Sequence, residues 1–134
     1  MIGGSGEKKT LRMVAEFADL CNIGGTAGVL GRKLAILDEH CAAVGRDPKE
    51  IKRTSMTSLF VFPNDAERDA LRGMLNYDTD STVRDQMIIA TADEATENLA
   101  AIVAAGVDEL IVNLPLIKSV DSIHIAAEVL KGAT

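Results

Sequence analysis

The chain has 134 residues, 47% of them apolar, which is enough for the core of one globular domain and too much for a disordered segment. Its formal net charge is −6, and its Lys and Arg residues are scattered among the acids, so the basic footprint that nucleic acid or an anionic membrane requires is missing. Cys21 and Cys41 lack CxxC spacing, and His40 beside Cys41 does not complete a ligand set, so no zinc site or thioredoxin-like motif is expected.

Two buried free thiols and a soluble, cytoplasmic protein are the expectation instead. Apolar runs such as Leu110 to Leu114 fall far short of the roughly 20 residues of a membrane helix, and no signal segment opens the chain. Aromatic residues make up only 3%, so the core must come from Leu, Ile, Val, Ala and Met, as in helices packed on buried parallel strands.

Met1 and Ile2 run straight into Gly3-Gly4-Ser5-Gly6, as if the chain began inside a strand, and Leu11, Val14, Ala15 and Ala18 then recur at helical spacing. Leu20 to Ile23 predicts a second strand closed by Gly24-Gly25. Leu30, Leu34, Leu37, Cys41 and Val44 predict a long amphipathic helix ending at Gly45. Asp47-Pro48 starts one further turn, and Arg53 to Phe62 is β-rich up to Pro63.

Asn64 and Glu67 form a capping box for a helix over Asp65 to Leu75, followed by a polar excursion from Asn76 to Thr82 and a brief extended piece at Met87 to Ala90. Thr91 and Glu94 form a second box for a helix reaching its C-cap at Gly106, and Asp108 to Leu114 is the fourth strand. Asp121 or Ser122 caps a last helix ending at Gly132. Four βα units with right-handed crossovers demand an α/β fold with a parallel sheet. Periodicity alone leaves a small open sheet and half of a barrel as equal solutions.

Ile2-Gly3-Gly4-Ser5-Gly6-Glu7-Lys8-Lys9-Thr10-Leu11-Arg12, followed by Ala15-Glu16-Phe17-Ala18-Asp19-Leu20-Cys21-Asn22, resembles the luciferase-like monooxygenase family, particularly its branch dependent on the deazaflavin coenzyme F420. His40-Cys41-Ala42-Ala43-Val44-Gly45-Arg46-Asp47-Pro48, Thr91-Ala92-Asp93-Glu94 and Ala105-Gly106-Val107-Asp108-Glu109-Leu110-Ile111 extend the resemblance over nearly the whole chain, in the family's order.

The resemblance implies a single half-barrel domain over residues 1–134, βα units five to eight of a (β/α)8 TIM-type barrel. A complete barrel takes about 250 residues. It also implies F420 or FMN as cofactor, with most of the substrate pocket and the usual acid or base carried by the half that is absent. The partners it suggests are a complementary half-barrel or further copies of this chain. A non-catalytic homo-oligomeric half-barrel is the alternative.

The cofactor-binding candidates are Gly3, Gly4, Ser5 and Gly6, expected at a passage from strand to helix N-terminus where backbone N–H groups and the helix dipole attract phosphate. Lys8 and Lys9 are placed in the first helical turn, where a bound anion would offset the unfavourable dipole. The plain reading is a tight turn with Ser5 as an N-cap and two solvated lysines. Gly4→Val is expected to block the anion while leaving stability nearly intact.

Asn22, with Gly24, Gly25 and Thr26, and Asn113 stand at strand C-terminal ends as substrate-binding candidates, the face where barrel enzymes place their active-site loops. Both also suit ordinary turns. His40 and His124 sit in helices and read as surface or dipole-compensating groups. The acidic clusters Asp65 to Asp69 and Asp93-Glu94 read as first-turn carboxylates. No Ser/His/Asp set, HExxH or Walker motif is present, so neither a catalytic residue nor a metal site is nominated.

Overall fold

The computed structural model describes residues 1–4, 6–116 and 119–133. Five strands, β1 (Ile2–Gly3), β2 (Leu20–Asn22), β3 (Lys52–Phe62), β4 (Met87–Thr91) and β5 (Glu109–Asn113), alternate with six helices. The helices are α1 (Thr10–Phe17), α2 (Ala27–Val44), α3 (Asp65–Met74), α4 (Ser81–Gln86), α5 (Ala92–Ala104) and α6 (Val120–Gly132), with a 3-10 turn at Pro48–Glu50. Every strand pairing is parallel, as short strands joined by helical crossovers require.

β3 organises the sheet. Its first residues pair with β2 through Leu20↔Lys52 to Asn22↔Thr54, and β1 adds to the far side of β2 through Ile2↔Cys21. Further along, β3 pairs with β5 from Thr54↔Glu109 to Ser58↔Asn113, and with β4 from Ser58↔Met87 to Phe62↔Thr91. Ser58 has partners in both β4 and β5, so these lie on opposite edges, and β4 continues the edge that β2 occupies lower down.

The fifth strand is the main departure from the sequence reading, which has only an extended piece at Met87 to Ala90. The polar excursion contains the six-residue helix α4, capped by Asp80 accepting from the Thr82 N–H, and it returns the chain to β3. Once aligned there, Ile88, Ile89 and Ala90 are all buried. Other shifts are smaller. Ser119, rather than Asp121 or Ser122, caps α6, its hydroxyl accepting from the Ser122 N–H. Three turn residues, Glu7 to Lys9, precede α1, so Lys8 lies outside the helix and Lys9 is its N-cap.

The core lies between the sheet and a helical layer in which α2 packs on α1 and α5, and α5 on α6. Leu11, Val14, Ala15, Leu30, Leu34, Leu37, Cys41, Leu99 and Ile102 face Cys21, Ile23, Leu59, Ile88 and Ala90. Cys21 and Cys41 are buried free thiols, and burial pushes both above the ordinary thiol range, away from reactive thiolate. The opposite face of the sheet carries Asn22, Thr54, Met56, Ser58, Ile111 and Asn113, which share it by pairing or by alternation along β3 and β5. Met56 and Ile111 are register partners there and are 56% and 42% exposed. No described helix is long and apolar enough to cross a membrane.

Three other helix ends, at Gly45, Asn64 and Thr91, are held as the sequence predicts. Gly45 closes α2 in the left-handed conformation (φ +72°), and the Asn64 side chain accepts from the Glu67 N–H at 3.0 Å. Glu94 returns the capping box of α5 by accepting from the Thr91 N–H at 3.0 Å, and it also receives Arg68 at 2.8 Å and Arg72 at 3.5 Å from α3.

The Thr91 N–H first, then the arginines, hold the Glu94 carboxyl below the usual range against the opposing cost of partial burial. A lowered folded pKa contributes stability that is present above the unfolded value of about 4.3 and lost as pH falls through the folded one. Glu94→Gln is therefore expected to cost about 0.5–1 kcal/mol at pH 7, as a weakened cap does. Urea unfolding of both proteins at pH 7 and pH 3 checks this, and the gap should narrow at the lower pH.

Candidate functional site

A cavity of about 520 Å³ opens at the C-terminal ends of β1 and β2 and is bounded by Gly4, Asn22, Lys33, Ser58, Asp85 and Met87 among others. It exists because β2 ends at Asn22 while β4 begins only at Met87 on the same edge of β3, which leaves that edge uncovered between them. α4 lies against β3 and β4 and supplies Thr82, Asp85 and Gln86 to the rim.

Asn22 is locked in place. Its Nδ2 donates to Thr54 Oγ1 at 2.9 Å, and that hydroxyl donates to the Cys21 carbonyl at 2.8 Å, so the Asn22 amide oxygen is turned to accept from elsewhere. The Asn22 carbonyl accepts from the Gly4 N–H at 3.2 Å, which draws the glycine segment onto the strand end.

Gly4 has φ +129°, and a Cβ there would come within 3.2 Å of Thr10 Cγ2. A side chain at this position is strained in backbone and crowded in space. This corrects the expectation that Gly4→Val would leave stability nearly intact. Gly6 is similarly tight, since a Cβ would lie 2.8 Å from Thr10 Oγ1. Gly3 is roomy, with the Asn22 carbonyl 4.0 Å away from its virtual Cβ. Ser5 lies outside the described residues.

The structure thus brings Gly4 and Asn22 to one cavity and leaves Asn113 outside it. Asn113 is exposed on the same open face, paired in register with the cavity residue Ser58. The segment after the glycines turns away. The Glu7 carbonyl accepts from His40 Nε2 at 2.8 Å and the Glu7 carboxylate pairs with Arg32 at 3.3 Å, both on α2. His40 therefore anchors this turn rather than serving the dipole of its own helix. Because three residues separate Gly6 from α1, the helix N-terminus stands back from the glycines, and its dipole contributes less at Gly4 than a direct strand-to-helix passage would.

Sequence reasoning missed Lys33. It occupies the sheet-facing stripe of α2 between Leu30 and Leu34 and is 8% exposed. Only the interruption of the apolar stripe by a lysine could have signalled it. A second cavity, of about 470 Å³, lies between the ends of β3 and β5 and α6, and is walled mainly by Leu59, Val61, Phe62, Leu114, Ile125 and Ala126. No His, Cys, Asp and Glu cluster able to hold a metal occurs among the described residues.

No family model matches the chain, and no curated protein matches it in sequence. Solved structures do match. An F420-dependent secondary alcohol dehydrogenase in complex with an F420-acetone adduct superposes with a TM-score of 0.75 at 16% identity, over 98% of this chain and 48% of that one. The EDTA monooxygenase EmoA from Chelativorans sp. BNC1 gives 0.69 at 15%, over 98% and 43%. The coenzyme F420 dependent tetrahydromethanopterin reductase from Methanopyrus kandleri gives 0.62 at 13%, over 92% and 46%. This chain spans just under half the length of these three proteins, and its fold is the parallel α/β arrangement of about half of each, of the TIM-barrel type.

Proposed function

We propose that this chain is the C-terminal half-barrel, units five to eight, of a flavin- or deazaflavin-dependent oxidoreductase, and that it holds the phosphate-bearing part of F420 or FMN at the glycine segment. The observation that carries this reading is the cavity at the strand C-terminal ends bounded by Gly4 and Asn22. Open-sheet and barrel α/β proteins bind ligands at that end of their strands. Gly4 offers a phosphate a wall without a side chain. Ser58 and Thr82 add hydroxyls.

The cofactor would supply the hydride or oxygen chemistry. This chain's residues would orient it and form one wall of the enclosure. Riboflavin lacks the phosphate of FMN, so fluorescence titration with the two separates phosphate recognition from ring binding. FMN should bind the chain more tightly than riboflavin, and Gly4→Val should abolish the difference while also lowering stability. Equal affinity for FMN and riboflavin would refute the phosphate assignment.

Catalysis is a separate matter. Hydride transfer needs cofactor ring and substrate held near contact with water excluded, and a half-barrel closes only one side. The chain alone is expected to show no oxidation of alcohols or aldehydes above the protein-free rate in single-turnover absorbance measurements. A rate that disappears in Asn22→Ala would show the opposite.

The open sheet face favours a second reading, in which copies of the chain cover one another without catalysis. Met56 and Ile111 form an exposed apolar pair there, and the outer edges of β1 and β5 have no strand partner among the described residues. Both readings predict that the chain self-associates at micromolar concentration in the absence of a complementary half, and that Met56→Lys weakens the association. Sedimentation of a compact monomer unaffected by Met56→Lys would count against this covering of the face.

A further inference from the structure

Lys33 is the one charged side chain among the buried residues of the described chain, in the middle of a helix stripe that otherwise packs the core. It has no hydrogen-bond or ion-pair partner among the described residues. Every fully enclosed side-chain nitrogen or oxygen in the described structure is hydrogen-bonded. The unpartnered Nζ of Lys33 is therefore not fully enclosed, and the residue lines the cavity beside Gly4.

An ammonium on a residue this buried keeps only part of its hydration, and an anion bound beside it would replace what is lost. Asp85 borders the same cavity but forms no ion pair with Lys33, and its carboxylate faces the Thr26 N–H at 3.5 Å. The remaining polar groups at the wall are the fixed Asn22 amide, the Ser58 and Thr82 hydroxyls and the Gln86 amide. A cation lining the same cavity as the Ser58 and Thr82 hydroxyls and the Gln86 amide, in a space large enough for a tetrahedral ion, suits an oxyanion.

We propose that Lys33 is the charged group of an oxyanion seat in this cavity, taking a phosphate from either the cofactor or a free phosphorylated substrate. α2, through Lys33, supplies the charge, so the seat stands apart from the glycine segment except for their common wall at Gly4. Lys33→Met keeps the apolar stem and deletes the charge, whereas Lys33→Arg keeps the charge.

Thermal unfolding is followed in a phosphate-free buffer and with increasing inorganic phosphate at constant ionic strength. The wild type should gain a saturable rise in Tm, because a ligand of the native state stabilises it by mass action. Lys33→Arg should retain a rise. Lys33→Met should lose it, and should start from an equal or higher Tm without phosphate, since it no longer buries an unpaired charge. A phosphate-dependent rise of equal size in Lys33→Met, or no rise in the wild type, overturns the proposal.

Titration with FMN and riboflavin then separates the sources. If Lys33→Met removes the preference for FMN over riboflavin, the seat holds the cofactor phosphate. If the preference survives while the effect of inorganic phosphate is lost, the seat holds the anionic group of a substrate. A phosphate effect that depends on Lys33, in a chain that binds neither FMN nor F420, supports the seat and rejects the cofactor reading.

Discussion

Three of the other four strands are held directly by β3, and this one strand decides where the rest of the molecule can go. Its eleven residues are longer than any partner, so β2 and β4 share one edge end to end while β5 takes the middle of the other. Ser58 is the point of overlap, paired on both sides. The gap on the shared edge is a direct consequence of that arithmetic, and the cavity fills the gap. Thr54, near the lower end of β3, ties the same edge to the site through Asn22 and the Cys21 carbonyl. A change in β3 register would flip Thr54 and Ser58 toward the helices and dismantle the cavity along with the core.

The sheet is covered unevenly, and around Met56 and Ile111 on one side only. Leu59 and its neighbours are buried under helices, while Met56, between Ser55 and Thr57 in sequence, points to the opposite face with Ile111 beside it. Parallel sheets are normally covered on both faces, because each unpaired face leaves apolar side chains in water. In a complete barrel, side chains from the remaining strands fill that face. The solved structures this chain superposes on are about twice its length.

Much of this was legible in the sequence because local rules and tertiary structure agree. The caps at Asn64 and Thr91, the left-handed glycine after α2 and the four strands of the βα pattern each depend on neighbours a few residues away. β4 was less legible. Met87 to Thr91 follows a polar excursion and is stabilised by pairing with residues nearly thirty positions earlier, a contact no local pattern reports. The role of His40 was hidden for the same reason, since its partner is the Glu7 carbonyl. The glycine segment was correctly placed at a strand end, but its distance from the helix N-terminus depends on three turn residues whose conformation the pattern does not specify.

The candidate site and the core are coupled through α2. Leu30, Leu34, Leu37 and Cys41 fix the rotation of this helix against the sheet, and the Asp38 to Arg53 pair and the Arg46 bond to the Ala15 carbonyl fix it along its axis. Lys33 and His40 are seven residues apart, so they fall on nearly the same line of the helix, about 10 Å apart along it. One reaches the cavity beside Gly4 and the other the Glu7 carbonyl beyond it. The glycine segment is thus held at its start by the Asn22 carbonyl of β2 and just beyond its end by α2 through Glu7, rather than by α1, which is only eight residues long and lacks a side-chain cap. A helix that short has little stability of its own. Because Gly4 is bonded to β2 and α2 packs on the sheet through Leu30, Leu34, Leu37 and Cys41, the position of Gly4 relative to Lys33 is set by core packing and does not depend on the start of α1.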